Sequence, residues 1–144
     1  MLRIRHVFLT TWIILFSLTL QITCKFYQVD TYPDPRHDLI KCGRWNRETT
    51  AICDPDTTID YSTSNKVDDI LSEILTSTNS PCDDENGFKV VVTLMNYIGD
   101  TSECESSDND CKAEKMARGL HDRFGVGKEG CDDGVLFLLS FKDR

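Results

Sequence analysis

The stretch Phe124–Arg144, FGVGKEGCDDGVLFLLSFKDR, decides how the chain is read. It holds a glycine-rich loop, two adjacent acids, an apolar run and a charged finish. From Val135 to Phe141 the only polar residue is Ser140. An unbroken apolar run bounded by Gly134 and Lys142 predicts a strand buried on both faces, because a half-exposed strand should alternate. Such a strand needs helices above and below it.

Those helices are visible upstream. Val67, Ile70, Leu71, Ile74 and Leu75 fall at helical spacing and predict a helix ending near Thr78, before Pro81. Ser62 or Ser64 is the expected cap, with Asp68 and Asp69 toward the positive end of the dipole. Phe88 to Met95, FKVVVTLM, is β-branched and predicts a second strand. Ala113, Met116, Ala117, Leu120 and Phe124 form the stripe of a second helix from about Asp110 to Phe124. Asp108 or Asn109 is its expected cap, and Gly125 its left-handed end. Met116 reads as core filler, and His121, one residue off the stripe, as a solvated side chain. The order helix, strand, helix, strand makes the two strands parallel across a right-handed helical crossover. The fold class is α/β: a small sheet with a parallel β-α-β unit, helices on both faces, and disulfide support. Two strands alone make a marginal domain, so further strands and helices are expected beyond Arg144.

The 144 residues divide into three parts. Residues 1–24 read as a secretory signal: Arg3, Arg5 and His6 precede an apolar run from Val7 to Ile22. Ile22 and Cys24 depart from the small residues expected at a cleavage site. An uncleaved anchor is therefore the competing reading, and lipid attachment at Cys24 a remote third. Residues 25–50 form a lead-in segment. Tyr32-Pro33-Asp34-Pro35-Arg36 predicts extended backbone there, with Cys42 and Trp45 pinning it to the domain. Residues 51–144 form a partial α/β domain. Cys53-Asp54-Pro55-Asp56 is a turn by composition, as is Asp83-Asp84-Glu85-Asn86-Gly87, which lacks the ligand pattern of a calcium loop. Gly99 to Asn109 reads as a polar surface loop.

The formal charge is −8, and losing Arg3 and Arg5 with the signal takes it to −10. So acidic a segment excludes nucleic acid as an electrostatic partner. It gives no reason to seek anionic lipid either. Of seven cysteines, Cys24 falls in the signal, leaving Cys42, Cys53, Cys82, Cys104, Cys111 and Cys131. An even set behind a signal reads as three disulfides, with 15 connectivities open. Close C-x-x-C pairs that would argue for zinc are absent from the sequence. Cys104 and Cys111 are near enough to form a local staple.

Three pieces together resemble the TPM domain family, in its nematode modulator-of-levamisole-receptor branch. They are Cys53-Asp54-Pro55-Asp56 ahead of an amphipathic helix, the strand Val90-Val91-Val92-Thr93-Leu94, and Phe124-Gly125-Val126-Gly127 followed by Cys131-Asp132-Asp133-Gly134-Val135-Leu136 and the final Asp143-Arg144. The resemblance covers Cys42 to Arg144. Phe124 stands where the family usually has tryptophan, and Thr57 where the turn after Asp56 often has glycine. The resemblance implies an extracellular, non-pore auxiliary of a levamisole-sensitive nicotinic acetylcholine receptor. It would bind the receptor subunits and alter gating, and a single membrane span is expected downstream of Arg144. The polar loop Gly99 to Asp110 and the segment Tyr32 to Trp45 are the expected contact regions.

The alternative is a metal-assisted, phosphatase-like hydrolase of the TPM type. Asp54, Asp132 and Asp133 would hold a divalent cation such as calcium if the Cys53 and Cys131 loops met; otherwise no cofactor is expected. Catalytic residues are not evident, since no Ser-His-Asp or Cys-His arrangement is visible. Asp143 lies beyond the far end of the last strand, about 25 Å away at ~3.3 Å per residue. Asn96, Asp143 and Arg144 instead suggest a pocket at the carboxyl edge of the sheet, where open α/β folds bind ligands. The expected pairing is Cys53 with Cys131, Cys104 with Cys111, and Cys42 with Cys82.

Overall fold

Aliphatic and β-branched side chains from Val90 to Met95 form the central strand of a parallel sheet, as their propensity dictates. The computed structural model describes residues 25–80, 82 and 87–143. The expected signal, the acids Asp83 to Glu85 and Arg144 lie outside those residues.

In chain order the elements are β1 (Phe26–Tyr27), β2 (Ile52–Cys53), α1 (Tyr61–Ser77), β3 (Lys89–Met95), β4 (Tyr97–Ile98), α2 (Asn109–Phe124) and β5 (Gly134–Ser140). The main sheet runs β2-β3-β5, all parallel. Val91 stands beside Leu136, and Thr93 lies between Cys53 and Leu138. A second, two-stranded parallel sheet pairs β1 with β4. The parallel β3-α2-β5 unit and the mixed α/β class agree with the reading of the sequence. The two short pairings, β1 with β4 and β2 with β3, were not foreseen, since two-residue strands leave no periodicity to detect.

The pleat separates two cores. Val91 and Met95 of β3, with Leu136 and Leu138 of β5, pack against Met116, Leu120 and Phe124 of α2. Val90, Val92 and Leu94 point the other way and meet Leu71 and Val67 of α1, with Ile52. The helices therefore cover opposite faces.

Coverage is incomplete, and here the expectation for the last strand is corrected. Among the described residues β5 is the outer strand of the sheet, and its burial alternates. Leu136 and Leu138 lie under α2, whereas Phe137 is 56% exposed and Leu139 52%. α1 sits over β2 and β3, so it does not roof β5. The apolar composition of Val135 to Phe141 reports one buried face and one uncovered face.

Helix α2 begins and ends as expected: Asp108 accepts from the Cys111 N–H, and Gly125 ends the helix at φ 55°. α1 starts earlier than foreseen. Asp60, not Ser62 or Ser64, caps it by accepting from the Thr63 N–H at 3.0 Å. Asp60 serves better because a carboxylate at the N-terminus also meets the helix dipole.

The disulfides are Cys42–Cys53, Cys82–Cys131 and Cys104–Cys111. Only the last matches the expected pairing. Cys53 lies on β2, where the lead-in segment crosses it, and Cys42 reaches it at a Cα–Cα distance of 4.4 Å. Cys131 precedes β5 at the opposite end of the sheet, which puts it beyond the reach of Cys53.

Candidate functional site

The lead-in segment is not extended. Pro33 and Pro35 break it into successive turns, with the Asp38 N–H bonding Asp34 O, the Cys42 N–H bonding Asp38 O and the Arg44 N–H bonding Leu39 O. Three anchors fix these turns. The Cys42–Cys53 disulfide is reinforced by the Asp54 N–H donating to Cys42 O at 3.2 Å. Tyr32 is fully buried, and its hydroxyl sits where the β2-β3 ladder ends, 2.7 Å from Cys53 O and 3.1 Å from the Leu94 N–H. Burial pushes this phenol up. Arg44 is the third anchor. Its Nη2 donates to Asp68 Oδ2 at 2.9 Å and to Asn65 Oδ1 at 2.8 Å, tying the segment to α1. Asp68 also accepts from Thr50 Oγ1 and the Ala51 N–H.

What this clamped segment displays is apolar. Ile40 is 80% exposed and Trp45 73%. Trp45 was expected to pin the segment, but Arg44 performs that role and Trp45 points to solvent. The missed signal was the polar setting Arg44-Trp45-Asn46-Arg47, which does not suit a buried indole. Exposed tryptophan on a rigid loop, flanked by arginine, has the composition of a binding hot spot.

The carboxylates named in the sequence do not converge. Asp54 follows β2, level with Leu94 and Leu139, while Asp133 precedes Gly134. Six residues of parallel register separate them, roughly 20 Å along the strands. Asp54 accepts from the Thr58 N–H and Oγ1 and from the Ile59 N–H, shaping the turn into α1. Asp133 is fully buried and bonds the Ser80 hydroxyl and the Lys128 N–H, both at 2.6 Å. These two donors, Ser80 first, hold its carboxyl below the usual range. Asp132 is exposed, at φ 50°. The expected meeting of Asp54 with Asp132 and Asp133 therefore does not occur. Among the described residues, no group of three His, Cys, Asp or Glu side chains converges as a metal site.

The glycines of the same stretch are packing devices. A Cβ on Gly127, at φ +86°, would lie 2.6 Å from Gly134 N and 2.8 Å from Asp133 Oδ1. The loop before β5 closes on itself at that point, and only glycine admits the approach.

The carboxyl edge of the sheet does bring Asn96 and Asp143 together. Asn96 O accepts from Ser140 Oγ and the Lys142 N–H, and Asp143 accepts from Ser140 Oγ and the Ile98 N–H. Asp56 ties in β1 by accepting from the Tyr27 hydroxyl at 2.8 Å and the Asn96 N–H at 2.9 Å. These groups engage one another through hydrogen bonds. A cavity of about 360 Å³ opens instead near the amino ends of the strands, among Arg47, Asp68, Leu71, Leu75, Val90 and Val126.

Residues 27–144 match the protein family described as Modulator of levamisole receptor-1. The chain belongs to that family. The match spans the anchored lead-in segment as well as the α/β core, so the turns that carry Ile40 and Trp45 are part of the family's domain. No curated protein and no solved structure matches the chain. Among the described residues no helix is long and apolar enough to cross a membrane.

Proposed function

We propose that this protein is an extracellular, non-pore auxiliary of a levamisole-sensitive acetylcholine receptor, binding receptor subunits and altering gating. The observation that carries the reading is the family match over residues 27–144, a family described as a modulator rather than an enzyme. Three disulfides suit an oxidising, secretory compartment and support placement on the outer face of the plasma membrane. The contact region is the clamped segment with Ile40 and Trp45. A rigid module that binds one gating state better than another shifts the receptor population toward it.

The test is electrophysiological. The full chain is co-expressed with levamisole-type receptor subunits, and agonist currents are recorded with surface delivery of both proteins verified. Altered current amplitude or agonist sensitivity is expected. Unchanged currents with both proteins at the surface would overturn the reading.

A further inference from the structure

We propose that the cavity beside Val90 takes a short, extended, apolar and uncharged segment of another polypeptide, hydrogen-bonded to β3 where β2 has left it. The pairing of β2 with β3 is only two residues long, Ile52 beside Val92 and Cys53 beside Thr93. Below Ile52 the ladder is broken by α1. In a continued parallel ladder the Ala51 N–H would serve Val90 O. It donates instead to Asp68 Oδ1 at 2.9 Å, and Thr50 Oγ1 also bonds Asp68. The chain from Thr49 to Ala51 therefore leaves β3 and becomes the far wall of the cavity.

What β3 shows to that cavity is a peptide edge. The Val92 N–H reaches Ala51 O and the Lys89 N–H reaches Asp133 O, so even-numbered residues of β3 turn their backbone groups toward β2. The N–H and C=O of Val90 thus face the gap, and among the described residues neither has a hydrogen-bond partner. One donor and one acceptor on a single residue match the amide groups flanking one residue of an extended peptide. Walls of opposite faces complete the slot: Leu71 and Leu75 of α1 on one side, Phe124 and Val126 on the other. Side chains of an inserted strand would point to these two walls in turn. Ile52 closes one end by pairing with Val92, so about three residues fit, at ~3.3 Å each alongside Lys89 to Val91. The volume of about 360 Å³ lies within the usual range of ligand pockets. Charge at the rim is already matched. Arg36 holds Asp34 at 2.7 Å, Arg47 holds Asp69 at 3.0 Å, and Lys89 stands in the field of Asp133. The slot accordingly selects an uncharged segment.

The experiment uses the full chain, isotope-labelled, secreted from eukaryotic cells with its disulfides intact. The probe is the blocked tripeptide acetyl-Val-Leu-Val-amide, whose central leucine would share the face of Val90 and meet Leu71 and Leu75. In the free protein the Val90 amide should exchange rapidly with solvent. Titration should shift its resonance saturably and slow its exchange. N-methylation of the central leucine removes the donor to Val90 O and should weaken binding about tenfold. Ser72 is an exposed residue of α1 on the cavity lining, so Ser72→Trp should leave the fold intact and abolish binding. A Val90 amide already protected in the free full chain overturns the proposal, because a segment of the same chain would then fill the slot. So does the absence of a saturable shift, or equal binding of the N-methylated peptide or of an amide-free fatty acid. Neither Ile40 nor Trp45 lines the slot, so failure here is distinct from failure of the receptor reading.

Discussion

Arg44 and Asp68 form an ion pair at 2.9 Å in which both side chains are almost wholly buried. It joins the lead-in segment to α1 across the amino-terminal half of the domain. Taking a charge out of water is costly unless its partner remains. Arg44→Met or Asp68→Ala, each leaving one charge behind, should lower unfolding free energy by ~3–5 kcal/mol. Urea denaturation followed by far-ultraviolet circular dichroism measures it. A loss below ~1 kcal/mol would show that water compensates the orphaned charge.

The Cys42–Cys53 bridge closes a separation of 11 residues. Replacing both cysteines with alanine should cost about 2–3 kcal/mol in the chain-entropy account. Peptide mapping of the unreduced protein should recover Cys42 with Cys53 and Cys82 with Cys131. Recovery of Cys53 joined to Cys131 would contradict the sheet register.

The Asp133 carboxyl titrates below its ordinary value of 3.8, chiefly through Ser80 and then the Lys128 N–H. A depressed folded-state pKa contributes stability that is present above about pH 4 and is lost as pH falls through the folded value. Ser80→Ala removes the main cause. Thermal denaturation between pH 2 and 6 should show a shallower acid limb in that variant. An unchanged limb would mean that the Ser80 hydroxyl does not favour the carboxylate.

Trp45 is largely exposed, so Trp45→Ala should change stability by no more than about 0.5 kcal/mol. If the clamped segment contacts the receptor, the same substitution should abolish or strongly reduce the current change seen on co-expression. Full modulation by a surface-delivered Trp45→Ala protein would move the contact elsewhere.

Much of the frame was legible before any coordinate. Helix α2 announced itself by its stripe, with the Asp108 cap at one end and Gly125 at the other. The parallel pairing of β3 with β5 followed from the helix between them. Less of the candidate site was legible, because its parts are assigned by distant neighbours. Arg44 anchors and Trp45 is displayed because α1 offers Asp68 and Asn65 to the first and nothing to the second. The only local trace of that choice is the polar setting of Trp45.

The sequence by itself determined the element types, the direction of the two long strands, the oxidised cysteines and the Cys104–Cys111 staple, since propensity, periodicity and short loops act over a few residues. Tertiary structure alone decided that α2 covers Leu136 and Leu138 of β5 while Phe137 and Leu139 stay exposed, that Cys42 rather than Cys131 meets Cys53, and that Asp54 and Asp133 stand at opposite ends of the sheet. The physical reason is that hydrophobic content says a side chain gains by burial, while only the order of strands and the span of a helix over them fix which side chains are reached.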